Sequence, residues 1–305
     1  MRVIVTGAAG FIGSHLAEAL LAAGHDVVGV DSFTDYYDPA LKEENARDLD
    51  VRRLDLAHDP LELGGFDAVL HLAGQPGVRS FGDVFGTYVE RNVLASQRVF
   101  EAAAAAGARV VFASSSSIYG EAERYPTAED VAPRPLSPYG ITKLSCEHLA
   151  RAYGRSFGLD VVVLRYFNAY GPRQRPDMAF PRIVAALADG RPFTLYGDGL
   201  QSRSFTYVGD VVAATALALE HAAPGTTYNV GGGEEATMNE TIAALEAIAG
   251  RSLEVVREDA VPGDQRRTKA DTTRIRADLG WEPTTSLVDG LRAQWAWAAA
   301  RVGAS

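Results

Sequence analysis

Cysteine occurs once in this chain of 305 residues, at Cys146. A single thiol excludes an internal disulfide and any metal site built on several cysteines, and such scarcity fits a reducing cytoplasm. The six histidines stand singly, without metal-ligand spacing, so no metal centre is expected. Long apolar runs are missing too. The stretch from Leu16 to Ala23 is interrupted by Glu18 and is too short to cross a bilayer. The opening residues MRVIVTGAAG already read as a strand and a turn, so no signal peptide is expected and the expected location is the cytoplasm. Positive charge is in deficit: 29 Lys and Arg stand against 39 Asp and Glu, for a formal net charge of -10. A surface that negative repels nucleic acid and anionic membranes, and neither is expected as a partner. An anionic small molecule needs a local cluster of positive charge.

What is present is an ordinary globular balance, 47% hydrophobic and 22% charged, long enough for one large α/β domain and a smaller lobe. No repeat or low-complexity linker interrupts it. Apolar runs at Val3–Thr6, His25–Val30, Asp67–Leu72, Arg109–Ala113 and Val161–Tyr166 read as strands. Helical stretches fall between them, from Phe11 to Ala23, from Val89 to Ala106 and from about Tyr139 to Phe157. Repeated strand–helix–strand units predict a doubly wound parallel sheet covered on both faces. Beyond Asn168 the regularity falls. Pro172, Pro176 and Pro181 crowd a segment that carries Arg173, Arg175 and Arg182, which reads as a loop-rich second lobe. A helix at Asp210–Glu220 and a strand at Thr227–Val230 return to the first domain, and helices at Asn239–Ala249 and Leu287–Ala300 complete the tail. The expected division is residues 1–166 plus about 204–232 for one domain, and about 167–203 plus 233–305 for an α/β substrate lobe.

Gly7, Gly10 and Gly13 lie between the first strand and the first helix. Gly7 permits a tight turn, Gly10 lets backbone approach a pyrophosphate, and Gly13 lets helix pack close on sheet. The helix N-terminus then faces the phosphates with free N–H groups. Asp31 ends the second strand, where a carboxylate binds both ribose hydroxyls and repels a 2′-phosphate, favouring NAD over NADP. Asp55 could reach the adenine amino group. Tyr139 and Lys143 are four apart on a helix and so share a face. A neighbouring ammonium favours the phenolate, which can take a proton from a sugar hydroxyl while hydride leaves the carbon. Lys143 would also hold the nicotinamide ribose. The run Ser114–Ser117 follows a strand on the side of the sheet where ligands bind, and a serine there can hydrogen-bond the same substrate oxygen.

Taken together, the Gly7–Gly13 turn, Asp31, His71-Leu72-Ala73-Gly74, Asn92, the serine run, Tyr139/Lys143, Arg165-Tyr166-Phe167-Asn168 and Arg203-Ser204-Phe205-Thr206-Tyr207-Val208 resemble the extended short-chain dehydrogenase/reductase family of nucleotide-sugar epimerases and dehydratases. The resemblance covers nearly the whole chain and implies a Rossmann-like fold. It makes Ser115 the catalytic serine. It implies cofactor contacts at Phe11, Ile12, Ser32, Leu56 and Leu72–Gly74, and also at Asn92 and Tyr166. Asn168 would contact the diphosphate of a UDP-sugar, and Arg203 with either Arg266 or Arg267 would neutralise it.

In related 4,6-dehydratases an Asp-Glu pair follows the catalytic Ser or Thr, and in related UDP-glucuronate decarboxylases a glutamate takes the second of those positions. Here they are Ser116 and Ser117, which cannot act as carboxylate acid or base. Epimerisation at C4 through a 4-keto sugar is what remains. The stretches Asp31–Asp38, Gln75–Arg79 and Tyr170–Met178 are similar to UDP-glucuronate 4-epimerases. On that resemblance Arg79 lies in the substrate pocket and Arg175 meets the sugar carboxylate, holding its bond out of line with the carbonyl π system. The expected reaction is UDP-glucuronate to UDP-galacturonate. A UDP-glucose or UDP-N-acetylhexosamine 4-epimerase is the nearest alternative; a decarboxylase, a dehydratase or a non-catalytic NAD sensor stands further off. Relatives pair through two long helices, so a homodimer through Val84–Ala106 and Tyr139–Phe157 is expected.

Overall fold

The computed structural model describes residues 1–77, 81–260 and 265–302. Val3, Ile4 and Val5 are fully buried because their strand, β1 (Arg2–Thr6), lies inside a sheet covered on both faces. It is followed in the chain by β2 (Asp26–Asp31), β3 (Val51–Arg53), β4 (Ala68–His71), β5 (Arg109–Ser115) and β6 (Val161–Tyr166). Four short strands come next: β7 (Ala169–Tyr170), β8 (Phe193–Tyr196), β9 (Ser202–Ser204) and β10 (Thr206–Tyr207). Then follow β11 (Thr227–Val230), β12 (Glu235–Thr237), β13 (Val255–Glu258) and β14 (Arg267–Thr268). Seven of them form one parallel sheet in the order β11-β6-β5-β4-β1-β2-β3. The strand order reverses between β1 and β4, which opens a crevice at their carboxyl ends.

The helices are α1 (Phe11–Ala22), α2 (Pro39–Asn45), α3 (Phe85–Tyr88), α4 (Ala95–Ala106), α5 (Pro138–Phe157), α6 (Ala179–Asp189), α7 (Val208–His221), α8 (Met238–Ala249), α9 (Thr273–Leu279) and α10 (Leu287–Val302). One face of the sheet packs on Leu16 and Leu20 of α1 with Val211 and Leu219 of α7. The other packs on Val99 and Phe100 of α4 with Cys146 and Ala150 of α5. The expected helix from Val89 is longer and less regular than its pattern suggests. It starts before α3, and Val89–Leu94 winds as a wider π-helical segment that leads into α4.

A separate core joins Ile183 and Leu187 of α6, Leu245 of α8 and Leu291 of α10 to Phe193 and Leu195 of β8. The segment expected to be loop-rich therefore contains a helix, α6, and β8, which pairs with β13. Asp210 in the first turn of α7 ties the tail to the main domain. Its carboxylate accepts from Thr284 N at 3.2 Å, Thr284 Oγ1 at 3.1 Å and Thr285 N at 3.2 Å, and its carbonyl accepts from Trp281 Nε1 at 3.0 Å.

Candidate active site

A cleft of about 990 Å³ opens at the carboxyl ends of β1, β4, β5 and β6 and extends under α6 and β8. Its floor is set by glycine. Gly7 has φ +71°, and a Cβ on Gly13 would overlap the Gly7 carbonyl, so neither position accepts a side chain without moving backbone. The first turn of α1 has no side-chain cap and no acidic residue, which leaves its N-terminal N–H groups and positive dipole end for an anion. Asp31 closes the adjacent end. Its two oxygens accept from Ala9 N at 3.1 Å and Phe33 N at 2.8 Å, which fixes the carboxylate in the cleft wall. These residues fit a dinucleotide: phosphates against α1, a ribose against Asp31. Phe11, Ile12, Ser32, Asp55, Leu56 and Leu72–Gly74 line the same end.

A buried relay holds the turn after β4. Thr6 Oγ1 accepts from Leu72 N and Ala73 N, each at 3.1 Å, so its own proton must go to His71 Nδ1 at 2.7 Å. The His71 Nε2–H then donates to Ser96 Oγ at 3.0 Å. Burial, and secondarily the Lys143 charge, push the imidazole down to about 3, so the ring stays neutral. Asn92 serves a similar end. It does not line the cleft; it stands behind the wall, accepting Gln75 N at 2.7 Å and donating to Gln75 O at 3.2 Å and Thr142 Oγ1 at 3.0 Å. Asn92, expected at the cofactor, here braces the turn that carries Gly74 and Gln75.

Tyr139 and Lys143 are presented by α5, which starts where Ser137 Oγ accepts Gly140 N at 3.1 Å, with Pro138 in the first turn. The Lys143 ammonium donates to the Ala113 carbonyl at 2.9 Å and lies 5.9 Å from the Tyr139 ring centre. Ser115 caps the short turn Ser116–Tyr119, its Oγ accepting Ser117 N at 3.1 Å. Ser115, Ser116, Ser117, Tyr139, Lys143 and Tyr166 all face the cleft.

Behind the serines lies a buried charge pair. Glu147, one turn beyond Lys143, takes Arg165 Nε at 2.9 Å and Nη2 at 2.7 Å; the side chains are 0% and 2% exposed. Glu147 also accepts Ser114 Oγ at 2.6 Å, and Arg165 Nη1 donates to Tyr119 Oη at 2.6 Å.

At the far end, Asn168 (φ +41°) donates to Ser204 O at 3.0 Å and Thr268 Oγ1 at 2.7 Å while lining the cleft. Arg175 and Arg203 also line it. Arg266 does not. It is an exposed side chain paired with Asp198 at 3.1 Å, and Arg267 turns outward to Glu235 at 2.6 Å. Gln265 lines the wall instead, its side-chain amide donating to Gly120 O and its backbone carbonyl accepting from Arg203 Nη2. Arg79 lies outside the described residues. Sequence reasoning missed Lys42, Arg91, Arg182 and the β8 residues Phe193–Tyr196 in the lining. Lys42 donates to Thr34 O at 2.7 Å and Oγ1 at 2.9 Å, with burial holding its pKa down. The apolar alternation of β8 was the available signal.

A glycine-lined dinucleotide cleft at a strand-order switch, with a tyrosine and lysine one helical turn apart, defines a nicotinamide-dependent enzyme of the doubly wound α/β class. Residues 3–231 match the model of the NAD dependent epimerase/dehydratase family. The chain belongs to that family and depends on NAD. It is 42% identical over 303 residues to a Bacillus subtilis protein described as an uncharacterized UDP-glucose epimerase, YtcB, covering 95% of this chain and 96% of the relative. It is 34% identical over 308 residues to the UDP-glucuronate 4-epimerase of Thermodesulfobacterium geofontis, covering 96% and 95%. The structure of UDP-glucuronic acid 4-epimerase from Bacillus cereus, in complex with UDP-glucuronic acid and NAD, superposes with a TM-score of 0.94 at 42% identity, covering 97% of this chain and 98% of that one. No helix among the described residues is long and apolar enough to cross a membrane.

Proposed function

We propose that this chain interconverts UDP-glucuronate and UDP-galacturonate by epimerisation at C4. The observation that carries the reading is the position of Arg175 in the sugar end of the cleft, with hydroxyls at Ser116 and Ser117 where a dehydratase needs carboxylates. In this reading residues 1–166 with about 204–232 hold the dinucleotide, and about 167–203 with 233–305 hold the UDP-sugar, through Asn168 and Arg203 at the diphosphate. Bound NAD would take up and return the hydrogen at C4. Tyr139 removes the O4 proton and gives it back, Lys143 stabilises the charge on the phenol oxygen, and Ser115 hydrogen-bonds O4. The Arg175 guanidinium holds the C6 carboxylate while the 4-keto sugar turns over.

A UDP-glucose 4-epimerase is the second reading. It is favoured by the Asp177 carboxylate, which already occupies one edge of Arg175. Offering UDP-glucuronate, UDP-glucose and dTDP-glucose separately decides between them. UDP-galacturonate is the expected product, and turnover of UDP-glucose alone would refute the glucuronate assignment. In heavy water the product should carry no deuterium at C5, whereas a dehydratase would introduce it.

The cytoplasm is the proposed location, and a homodimer the proposed assembly, through the helices that span residues 84–106 and 139–157. Phe85, Val89, Leu94, Ile141 and Phe157 are exposed on these helices, apolar surface that a second copy would cover. Sedimentation velocity should give about twice the 32.5 kDa chain mass, and a monomer at micromolar concentration ends this proposal.

A further inference from the structure

Arg175 enters the cleft already holding a partner. Its Nε and Nη2 donate to the two oxygens of Asp177 at 3.0 Å each, and Nη2 also donates to Met178 Sδ at 3.3 Å. Tyr36, from the loop after β2, donates its hydroxyl to Asp177 Oδ2 at 3.3 Å, and its ring centre lies 5.7 Å from the guanidinium carbon. Two loops distant in the sequence thus meet on one carboxylate. Burial works against the Arg175 charge, yet the hydrogen bonds and charge of Asp177 hold its pKa above the ordinary value.

The loop around Arg175 is pinned on both sides. His15 Nε2 donates to the Pro172 carbonyl at 3.0 Å, and Arg173 pairs with Glu18 at 2.8 Å, so α1 anchors one side. Gln174 Nε2 donates to Ala169 O at 3.0 Å. With the backbone fixed, the freedom left to Arg175 is rotation of its own long side chain. A bidentate carboxylate removes that freedom. It also selects the edge on offer: among the described residues Nη1 makes no hydrogen bond, so its N–H groups are the ones available to a ligand.

We propose that Asp177, steadied by Tyr36, is a positioning residue that aims Arg175 Nη1 at the group carried on C5 of the sugar; this rests on the reading of Arg175 as the carboxylate contact. Its consequence is chemical as well as energetic. The 4-keto form of a glucuronate can lose carbon dioxide. The C5–C6 bond breaks, its electron pair enters the C4 carbonyl as an enolate, carbon dioxide departs, and a solvent proton ends on C5. The step needs the breaking bond parallel to the carbonyl π system. A guanidinium held in one orientation keeps the carboxylate out of that alignment, and a slack one does not.

The test measures KM for UDP-glucuronate, release of labelled carbon dioxide from its C6 and the Kd of UDP, which lacks the glucuronosyl group. Asp177→Asn and Asp177→Ala should each raise KM and carbon dioxide released per turnover about tenfold, as expected for loss of a hydrogen bond to a charged group. The Kd of UDP should stay within about twofold, and Asp177→Glu should recover part of both losses. Tyr36→Phe should move KM and carbon dioxide release in the same direction by about threefold, and it decides the matter if Asp177→Ala does not fold. Unchanged carbon dioxide release in these variants, or a UDP Kd that rises in step with KM, overturns the proposal. Arg175→Ala separates the two layers. If it raises both quantities while the Asp177 variants behave as wild type, the positioning role falls alone; if it raises neither, the carboxylate reading of Arg175 falls with it.

Discussion

Replacing Tyr139 by phenylalanine is expected to lower kcat by about 10²–10⁴-fold while leaving NAD bound, the span of a lost general acid–base group. The ring is kept and a single hydroxyl is removed, so packing against α5 changes little. Tyr139 sits at the first turn of that helix in the cleft, with the Lys143 ammonium 5.9 Å from its ring centre. Lys143 is itself fixed by its bond to Ala113 O at 2.9 Å, so the positive charge cannot drift from the phenol. The groups that would grip the dinucleotide, Gly7 and Gly10 in the turn between β1 and α1, Gly13 in α1 and Asp31 at the end of β2, do not depend on the phenol. Cofactor content measured after denaturation should therefore match wild type. A variant retaining more than about a tenth of wild-type turnover would remove Tyr139 as the base.

The second large effect is on stability. Glu147→Ala should destabilise the fold by about 3–5 kcal/mol, because it leaves the Arg165 guanidinium buried without its counter-charge. The pair is 0% and 2% exposed, so water cannot replace the lost carboxylate without rearrangement. Ser114 Oγ loses its acceptor in the same substitution. Replacing both members, Glu147→Leu with Arg165→Met, should recover most of the loss, since the remaining volume is apolar and no charge is stranded. Urea unfolding of the two variants reads the difference. A loss below about 1 kcal/mol for Glu147→Ala would mean that the site admits water or that Arg165 finds another partner.

The large sheet was legible where its chemistry is simple. Val161–Tyr166 and Thr227–Val230 read as strands from the sequence, and both strands have those bounds. The helix α6 was not, because Pro172, Pro176 and Pro181 suggested a loop. Pro181 sits in the first turn of α6, where its missing N–H has no intrahelical partner to forgo. In the site, residues fixed by the glycine turn and by helical spacing could be placed from spacing alone. Asn92 and Arg266 could not. Whether an amide faces a ligand or stands behind the wall depends on the turn after β4, and the direction of Arg266 depends on how β14 pairs with β9. Both are settled by partners distant in sequence.

The family match ends at residue 231, which invites treating the first three-quarters of the chain as a module that could be cut out or exchanged. Asp210 argues against that division. A fragment ending there would strip the Thr284 and Thr285 donors from the carboxylate of Asp210, and the Trp281 donor from its carbonyl, at a residue that is 6% exposed at the start of α7. A chimaera built from two relatives should carry its tail together with α7, because the unit that is inherited and the unit that folds have different borders here.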